Sequence, residues 1–281
     1  MPPPFDFDAA SALSMGQRSY QEDAIIADFA RGAEVGLAVL ADGMGGHAAG
    51  DVASKIVVTE VFSELMFQRG DVAAFEASVR TSLFDAAMAA NACLREHVDT
   101  YPETQGMGAT LVATVIINKH LYWISIGDSP LFLYRDGKLR QLNEDHSMAP
   151  QIDFMVKSGL LDDEEGRCHP DRNTLTSVLF GENVPRVDCP SDPTELRAGD
   201  MMIVASDGLQ FLTDAEIEGV LRHHENDHSA KIADSLLERL SQLNDPDLDN
   251  VSFSVVKLKE PAGDCTVDRN AEQVEGIRRV G

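Results

Sequence analysis

The chain has 281 residues, 43% of them hydrophobic, which is enough for a sizeable core in one large domain or two small ones. Its 23 basic residues against 47 acidic ones give a formal net charge of −24, a field that repels nucleic acid and anionic membrane and so excludes both as partners. There is no apolar run of about 18 residues, the opening MPPPFDFDAA has neither a basic nor an apolar signal region, and Cys93, Cys168, Cys189 and Cys265 form no C-x-x-C pair, so the expectation is a cytoplasmic globular protein with reduced thiols.

Residues 1–10 and the polar tail 260–281 read as unstructured ends on either side of one domain spanning 11–259. Strand-like runs open that domain at 24–29 and 35–40. A helix follows from near Asp51, with Val58, Val61, Phe62 and Leu65 on one face, and then a second with Phe75, Val79, Leu83, Ala86, Ala90 and Leu94. Strands are expected next at 109–117, 120–126 and 131–135. Asn118-Lys119 makes one tight hairpin among them and Asp136-Gly137 a second after the last, so neighbouring strands run antiparallel. From 147 to 199 the pattern dissolves into charged and turn-forming residues, SGLLDDEEGRCHPDRNTLTS among them, which marks a functional flap (about 147–180) or a disordered insert. A strand at 201–206, a helix at 230–243 with Ile232, Leu236, Leu237 and Leu240 inward, and a strand at 251–258 complete the domain. Helices grouped between antiparallel strands predict helices layered over sheet, not a doubly wound fold.

Acidic residues gather at the strand ends. Asp42-Gly43 follows VGLAVL and Asp207-Gly208 follows MMIVAS, while Asp23 precedes AIIADF, Asp128 follows HLYWISI and Asp249 precedes VSFSVV. A carboxylate beside buried strand must be hydrogen-bonded, capping or metal-bound, because leaving it bare costs roughly several kcal/mol. One such residue reads as a helix cap; two Asp-Gly pairs with three further acids favour a site for a hard divalent cation, which takes oxygen ligands. The glycine after Asp42 leaves its backbone carbonyl accessible to such an ion.

The segments RSYQEDA, LADGMGGHAAGDVAS, GMGATLV, ISIGDSPLFLYRDGKLRQLNEDHS, HPDRN, GDMMIVASDGL and DNVSFSVV resemble, in that order, the motifs of metal-dependent protein phosphatases of the PP2C type, bacterial branch, over about 14–258. The resemblance implies an α+β fold, a four-layer α-β-β-α sandwich with two central antiparallel sheets. It also implies two Mn²⁺ or Mg²⁺ ions per chain, and in bacterial members often a third, weaker one. By motif position Asp42 bridges the two ions, Gly43 gives its carbonyl to one, and Asp207 and Asp249 bind the other. Glu22 and Asp23 orient metal-bound water, Arg18 grips phosphate, and Asp128 joins Asp207 at the third ion. The implied reaction is hydrolysis of phosphoserine and phosphothreonine by a hydroxide shared between metals, with phosphoproteins as substrates, a cognate serine/threonine kinase as opponent, and a monomeric chain.

Some positions depart from the family pattern. Met44 stands where many eukaryotic relatives carry a histidine assigned as general acid, with His47 the nearest substitute by sequence; Pro130 replaces a common arginine and Gln21 an Asn or Met. The pair Cys168-His169 has no partners at ligand spacing and reads as incidental. The rival functions are a phosphatase-like domain that binds without turning over, against which the complete acid set counts, and a regulator serving one dedicated phosphoprotein.

Overall fold

The computed structural model describes residues 3–45 and 48–261. In chain order it contains β1 (Asp6–Ser14), β2 (Asp23–Asp28), β3 (Val35–Met44), α1 (Ala48–Gln68) and α2 (Val72–Thr100). Next come β4 (Gly108–Ala109), β5 (Leu111–Ile117), β6 (His120–Ile126), β7 (Leu131–Arg135) and β8 (Lys138–Gln141). The remainder is α3 (Ala149–Lys157), α4 (Asp163–Arg167), β9 (Thr194–Glu195), β10 (Met201–Ala205), α5 (Asp214–His223), α6 (Ser229–Leu243) and β11 (Val251–Lys259).

Two antiparallel sheets result: a five-stranded one in the order β1-β11-β10-β7-β8, and a six-stranded one in the order β2-β3-β5-β6-β9 with β4 paired to β3. Central strands such as β3, β5 and β10 read as apolar runs because both of their faces are buried. In β3, Leu37, Val39 and Ala41 point to the helix layer, where they meet Val57 and Val61 of α1 and Leu83 of α2. Between them, Ala38 and Leu40 point the other way and pack with Val112 and Ile116 against Leu131, Leu133, Met202 and Val204 of the facing sheet. The outer face of that sheet, Ile203, Phe253 and Val255, is covered by Ile217 and Leu221 of α5 and Ile232 and Leu236 of α6. The order is therefore helices, sheet, sheet, helices, the expected four-layer sandwich, and each buried Val or Leu contributes roughly 1.5–3 kcal/mol. Among the described residues no helix is long and apolar enough to cross a membrane.

The positive φ angles at Asp136 (52°) and Gly137 (79°) close the β7–β8 hairpin in the way a tight two-residue turn requires.

Three expectations need correction. Residues 6–10 are not an unstructured end: β1 pairs with β11 along its whole length, from Asp6 opposite Lys259 to Ser14 opposite Val251, and Phe5 and Phe7 are buried between the sheets. The expected strand 109–117 is interrupted at Thr110, which belongs to the site described below. The stretch 147–199 is not wholly irregular, for it holds α3, α4 and β9; α4 begins with a capping box in which Asp162 and Glu165 satisfy each other's backbone N–H groups. Of the expected tail, residues 262–281 lie outside the described residues, as does His47.

A candidate metal and phosphate site

Asp23 opens β2 and stands opposite Asp42 in the β2–β3 register. The strand β3 runs beyond its apolar stretch to Met44 because β4 pairs with Gly43 and Met44. Thr110, in the break between β4 and β5, ties down the backbone of Asp42 on both sides: its Oγ1 accepts the Asp42 N–H (3.0 Å), and its own N–H donates to the Asp42 carbonyl (2.9 Å). The same Thr110 Oγ1 shares a hydrogen bond with Ser129 Oγ (2.8 Å), which places Asp128 beside Asp42. Gly43 is required by space. A Cβ there would lie 2.1 Å from the Gly50 carbonyl oxygen and 2.6 Å from that of Glu22, so three backbones meet with no room for a side chain.

The other sheet supplies the remaining acids. Asp207 begins a short 3₁₀ turn (Asp207–Phe211) after β10, and Asp249 stands two residues before β11 opens at Val251. Ser206 Oγ donates to Asp23 Oδ2 at 2.7 Å, a hydrogen bond that spans the two sheets and sets Asp207 against the β2–β3 pair. Arg18 lies on the exposed loop between β1 and β2, with Nη2 donating to Asp249 Oδ2 at 2.6 Å. Gln21 closes that loop: its Nε2 donates to the Ser14 carbonyl (3.0 Å) and its Oε1 accepts the Asp23 N–H (3.0 Å).

A cavity of about 550 Å³ opens where the sheets meet, lined by Arg18, Glu22, Asp42, Asp128, Asp207 and Asp249, with Gly43 at its edge. Asp23 does not line it but lies behind Asp42, only 3% exposed. Met44, Leu175, Val178 and Phe180 form an apolar wall on the flap side. A second cavity of about 390 Å³ shares Asp128, Asn173 and Asp207 with the first and adds Asp145 and Arg172.

Burial holds Asp23, Asp42, Asp128 and Asp207 above the usual carboxylate range, and repulsion from neighbouring acids adds to it. Asp23 is pushed up to about 7 by burial, with Asp207 and Asp249 adding and the Ser206 hydroxyl opposing. Asp128 also reaches about 7, through burial and the charges of Asp207 and Asp145. Asp42 is raised well above the ordinary value by burial and then by Asp23, Asp207, Asp128 and Asp249. Asp207 is raised by burial and Asp249, although Arg18 pulls it back, and its Oδ1 is buried with no hydrogen-bond donor.

An all-oxygen donor set in which Asp207 Oδ1 is buried with no hydrogen-bond donor suits a hard divalent cation. Among the described residues no three acidic, histidine or cysteine side chains close tightly enough to enclose an ion alone.

The structure brings Arg18, Glu22, Asp42, Gly43, Asp128, Asp207 and Asp249 to one cavity and Asp23 to its rear wall. Cys168-His169 stays apart from it: Cys168 is exposed, and His169 Nδ1 accepts the Asp171 N–H within a local turn. Thr110, Ser206 and Asn250 were not singled out from the sequence; their only signal there is a polar side chain next to a strand-end motif, while their partners lie far along the chain.

The protein phosphatase 2C family profile matches residues 15–251. The serine/threonine protein phosphatase PstP of Mycobacterium tuberculosis is 36% identical over 179 residues, covering 62% of this chain and 31% of that protein, so the match spans less than a third of that relative. A putative protein phosphatase 2C-type of Streptococcus pyogenes is 31% identical over 208 residues, 74% of this chain and 81% of the relative. The crystal structure of the M. tuberculosis phosphatase superposes with a TM-score of 0.75 at 31% identity, covering 91% of this chain and 100% of that one. A PstP catalytic domain solved with two manganese ions gives 0.72 at 30% identity, with the same coverage. The chain belongs to the protein phosphatase 2C family.

Proposed function

We propose that the chain is a metal-dependent protein phosphatase that hydrolyses phosphoserine and phosphothreonine in phosphoproteins and opposes a serine/threonine kinase. The observation that carries this reading is the convergence of Asp42 and Asp128 from one sheet with Asp207 and Asp249 from the other on a cavity rimmed by Arg18. Asp42 would lie between two divalent cations, with the Gly43 carbonyl on one and Asp207 and Asp249 on the other. Bound there, such cations, Mn²⁺ or Mg²⁺, activate water and neutralise phosphoryl charge for an in-line displacement.

The chain's own residues do the rest. Glu22 at the cavity orients the attacking water, and Asp23, buried behind Asp42, supports that arrangement from the rear. Arg18 presents a planar fork of N–H donors to two phosphoryl oxygens and remains charged throughout, which offsets the repulsion that a −24 protein exerts on an anionic substrate. Met44 offers no proton beside Asp42, so the leaving alkoxide takes its proton from another donor. Leu175, Val178 and Phe180 give the cavity an apolar wall on the flap side. Asp128, shared by both cavities, would hold a third, weaker ion with Asp207.

The test is hydrolysis of phosphoserine and phosphothreonine peptides by the full chain with added Mn²⁺ or Mg²⁺ and after exhaustive chelation. Activity is expected with the metal and none without it; full activity after chelation rejects the reading. Stoichiometric phosphopeptide binding with no turnover at any metal concentration would leave a binding module instead.

A further inference from the structure

Asn250 is 4% exposed, and its carboxamide is fully engaged. Nδ2 donates to the carbonyls of Met15 (3.0 Å) and Tyr20 (2.9 Å), and Oδ1 accepts the N–H of Glu22 (2.8 Å). These three backbone groups stand at the two ends of the loop that carries Arg18. Within the loop, the Arg18 N–H bonds the Met15 carbonyl (3.1 Å) and the Gln17 N–H bonds Leu248 (2.8 Å). Gly16 sits at a φ of +57°, so close to the β11 entry that a Cβ would lie 2.0 Å from the Asp249 carbonyl oxygen. The dipeptide Asp249-Asn250 thus holds the loop twice: the carboxylate takes the guanidinium at the tip, and the carboxamide pins the base.

We infer that Asn250 is a positioning residue for Arg18, fixing the height of the loop over the cavity so that the guanidinium meets the phosphoryl oxygens. The inference rests on the phosphate-binding role of Arg18 proposed above. Only an asparagine fits the three bonds at this reach. An aspartate would set an acceptor against two carbonyls, a serine falls short of one end of the loop, and a glutamine adds a methylene where the backbones leave no slack. Asn250 borders the cavity, but both of its amide hydrogens are taken by the loop carbonyls of Met15 and Tyr20, so it acts through the arginine.

The test is a double-mutant cycle in the Mn²⁺-loaded full chain with Arg18→Ala, Asn250→Ala and the pair together. It reads KM and kcat on a phosphothreonine peptide, the inhibition constant of inorganic phosphate, Mn²⁺ affinity by calorimetry and the melting temperature. Each single variant is expected to raise KM and the phosphate inhibition constant about tenfold or more, with kcat and Mn²⁺ affinity changed less than about threefold. The double variant should be no worse than Arg18→Ala alone. Full additivity, a fall in kcat at unchanged KM, or a wild-type Asn250→Ala overturns the inference. An unchanged KM in Arg18→Ala defeats the phosphate role of Arg18 itself, which is read separately from whether the chain hydrolyses phosphopeptides at all. Should Asn250→Ala melt below the assay temperature, Asn250→Ser, which keeps one donor, takes its place in the same cycle under the same criteria.

Discussion

Asp23 and Asp42 face each other across the β2–β3 ladder, a pair of carboxyls at directly opposed positions on neighbouring strands. Like charges so placed destabilise a sheet unless something offsets them. Asp207 and Asp249 arrive from the other sheet and add to the load, and Arg18 is the one cation that the described residues bring to the cavity lining.

The first prediction is a stability that depends on divalent metal. Chelator-treated protein should gain stability on adding Mn²⁺, by about 2.7 kcal/mol per site at a free concentration one hundred times Kd, and melt at a higher temperature. Asp42→Asn should melt above the wild type in chelator, since it removes one repelling charge, yet lose most of the Mn²⁺-dependent gain and most activity. Scanning calorimetry with and without metal reads both effects. A variant less stable than the wild type in chelator would refute the repulsion argument.

Arg18 separates stability from function. Its ion pair with Asp249 is open to solvent, the two side chains being 56% and 32% exposed, and pairs of that kind contribute about 0–1 kcal/mol. Arg18→Ala should therefore shift the melting temperature little while raising KM for phosphopeptides. A large loss of stability with an unchanged KM would make the arginine structural.

Gly43→Ala tests the close approach of three backbones. With 2.1 Å between the new Cβ and the Gly50 oxygen, the strand must shift, at a cost of about 1–3 kcal/mol. Mn²⁺ affinity should fall at the same time, because the Gly43 carbonyl moves with it. A variant with wild-type melting and wild-type metal titration would show that the strand yields freely.

The segment 159–173 should control peptide preference. Its last residue, Asn173, lines both cavities, Arg172 is anchored to Asp153 on α3 (2.7 Å), and Leu160 at its start is 69% exposed. Exchange for a loop of different sequence should reorder kcat/KM among phosphopeptides and spare p-nitrophenyl phosphate, which has no peptide to lie along the segment. An equal fall on both substrates would mark the segment as scaffolding.

Asp128→Ala should lower kcat and shift the Mn²⁺ dependence while leaving thermal stability and the two tighter ions intact. Were the carboxylate instead a cap for the Ser129-Pro130 turn, the variant would lose about 0.5–2 kcal/mol with unchanged metal stoichiometry. Calorimetric titration beside a melting curve distinguishes the two.

The fold was legible wherever burial is two-sided. Strands such as β3 and β10 show as continuous apolar runs, and α2 shows as a stripe, because local sequence alone carries those signals. β1 was not legible: DFDAASALS is mostly small and polar. What holds it is the burial of Phe5 and Phe7 against the facing sheet, the ladder to β11, and the grip of Lys259, His228 and Ser229 on Asp8, partners that lie far off in sequence. The acids of the site could be named because each sits at the end of an apolar strand. The bonds that aim them could not: Thr110 reaches Asp42, Ser206 reaches Asp23 and Asn250 reaches Glu22 only once the sheets are in place.

The division of the acids between the sheets has a kinetic consequence. Asp42 and Asp128 belong to one half of the sandwich and Asp207 and Asp249 to the other, so ions held among them act as rivets driven through both plates. Such rivets can be set only after the plates dock, late in folding, and must shear before the plates part. A fastening made after the rate-limiting step slows unfolding and leaves the refolding rate almost untouched. Metal in the surroundings would thus lengthen the lifetime of the folded chain against proteolysis without hastening its birth.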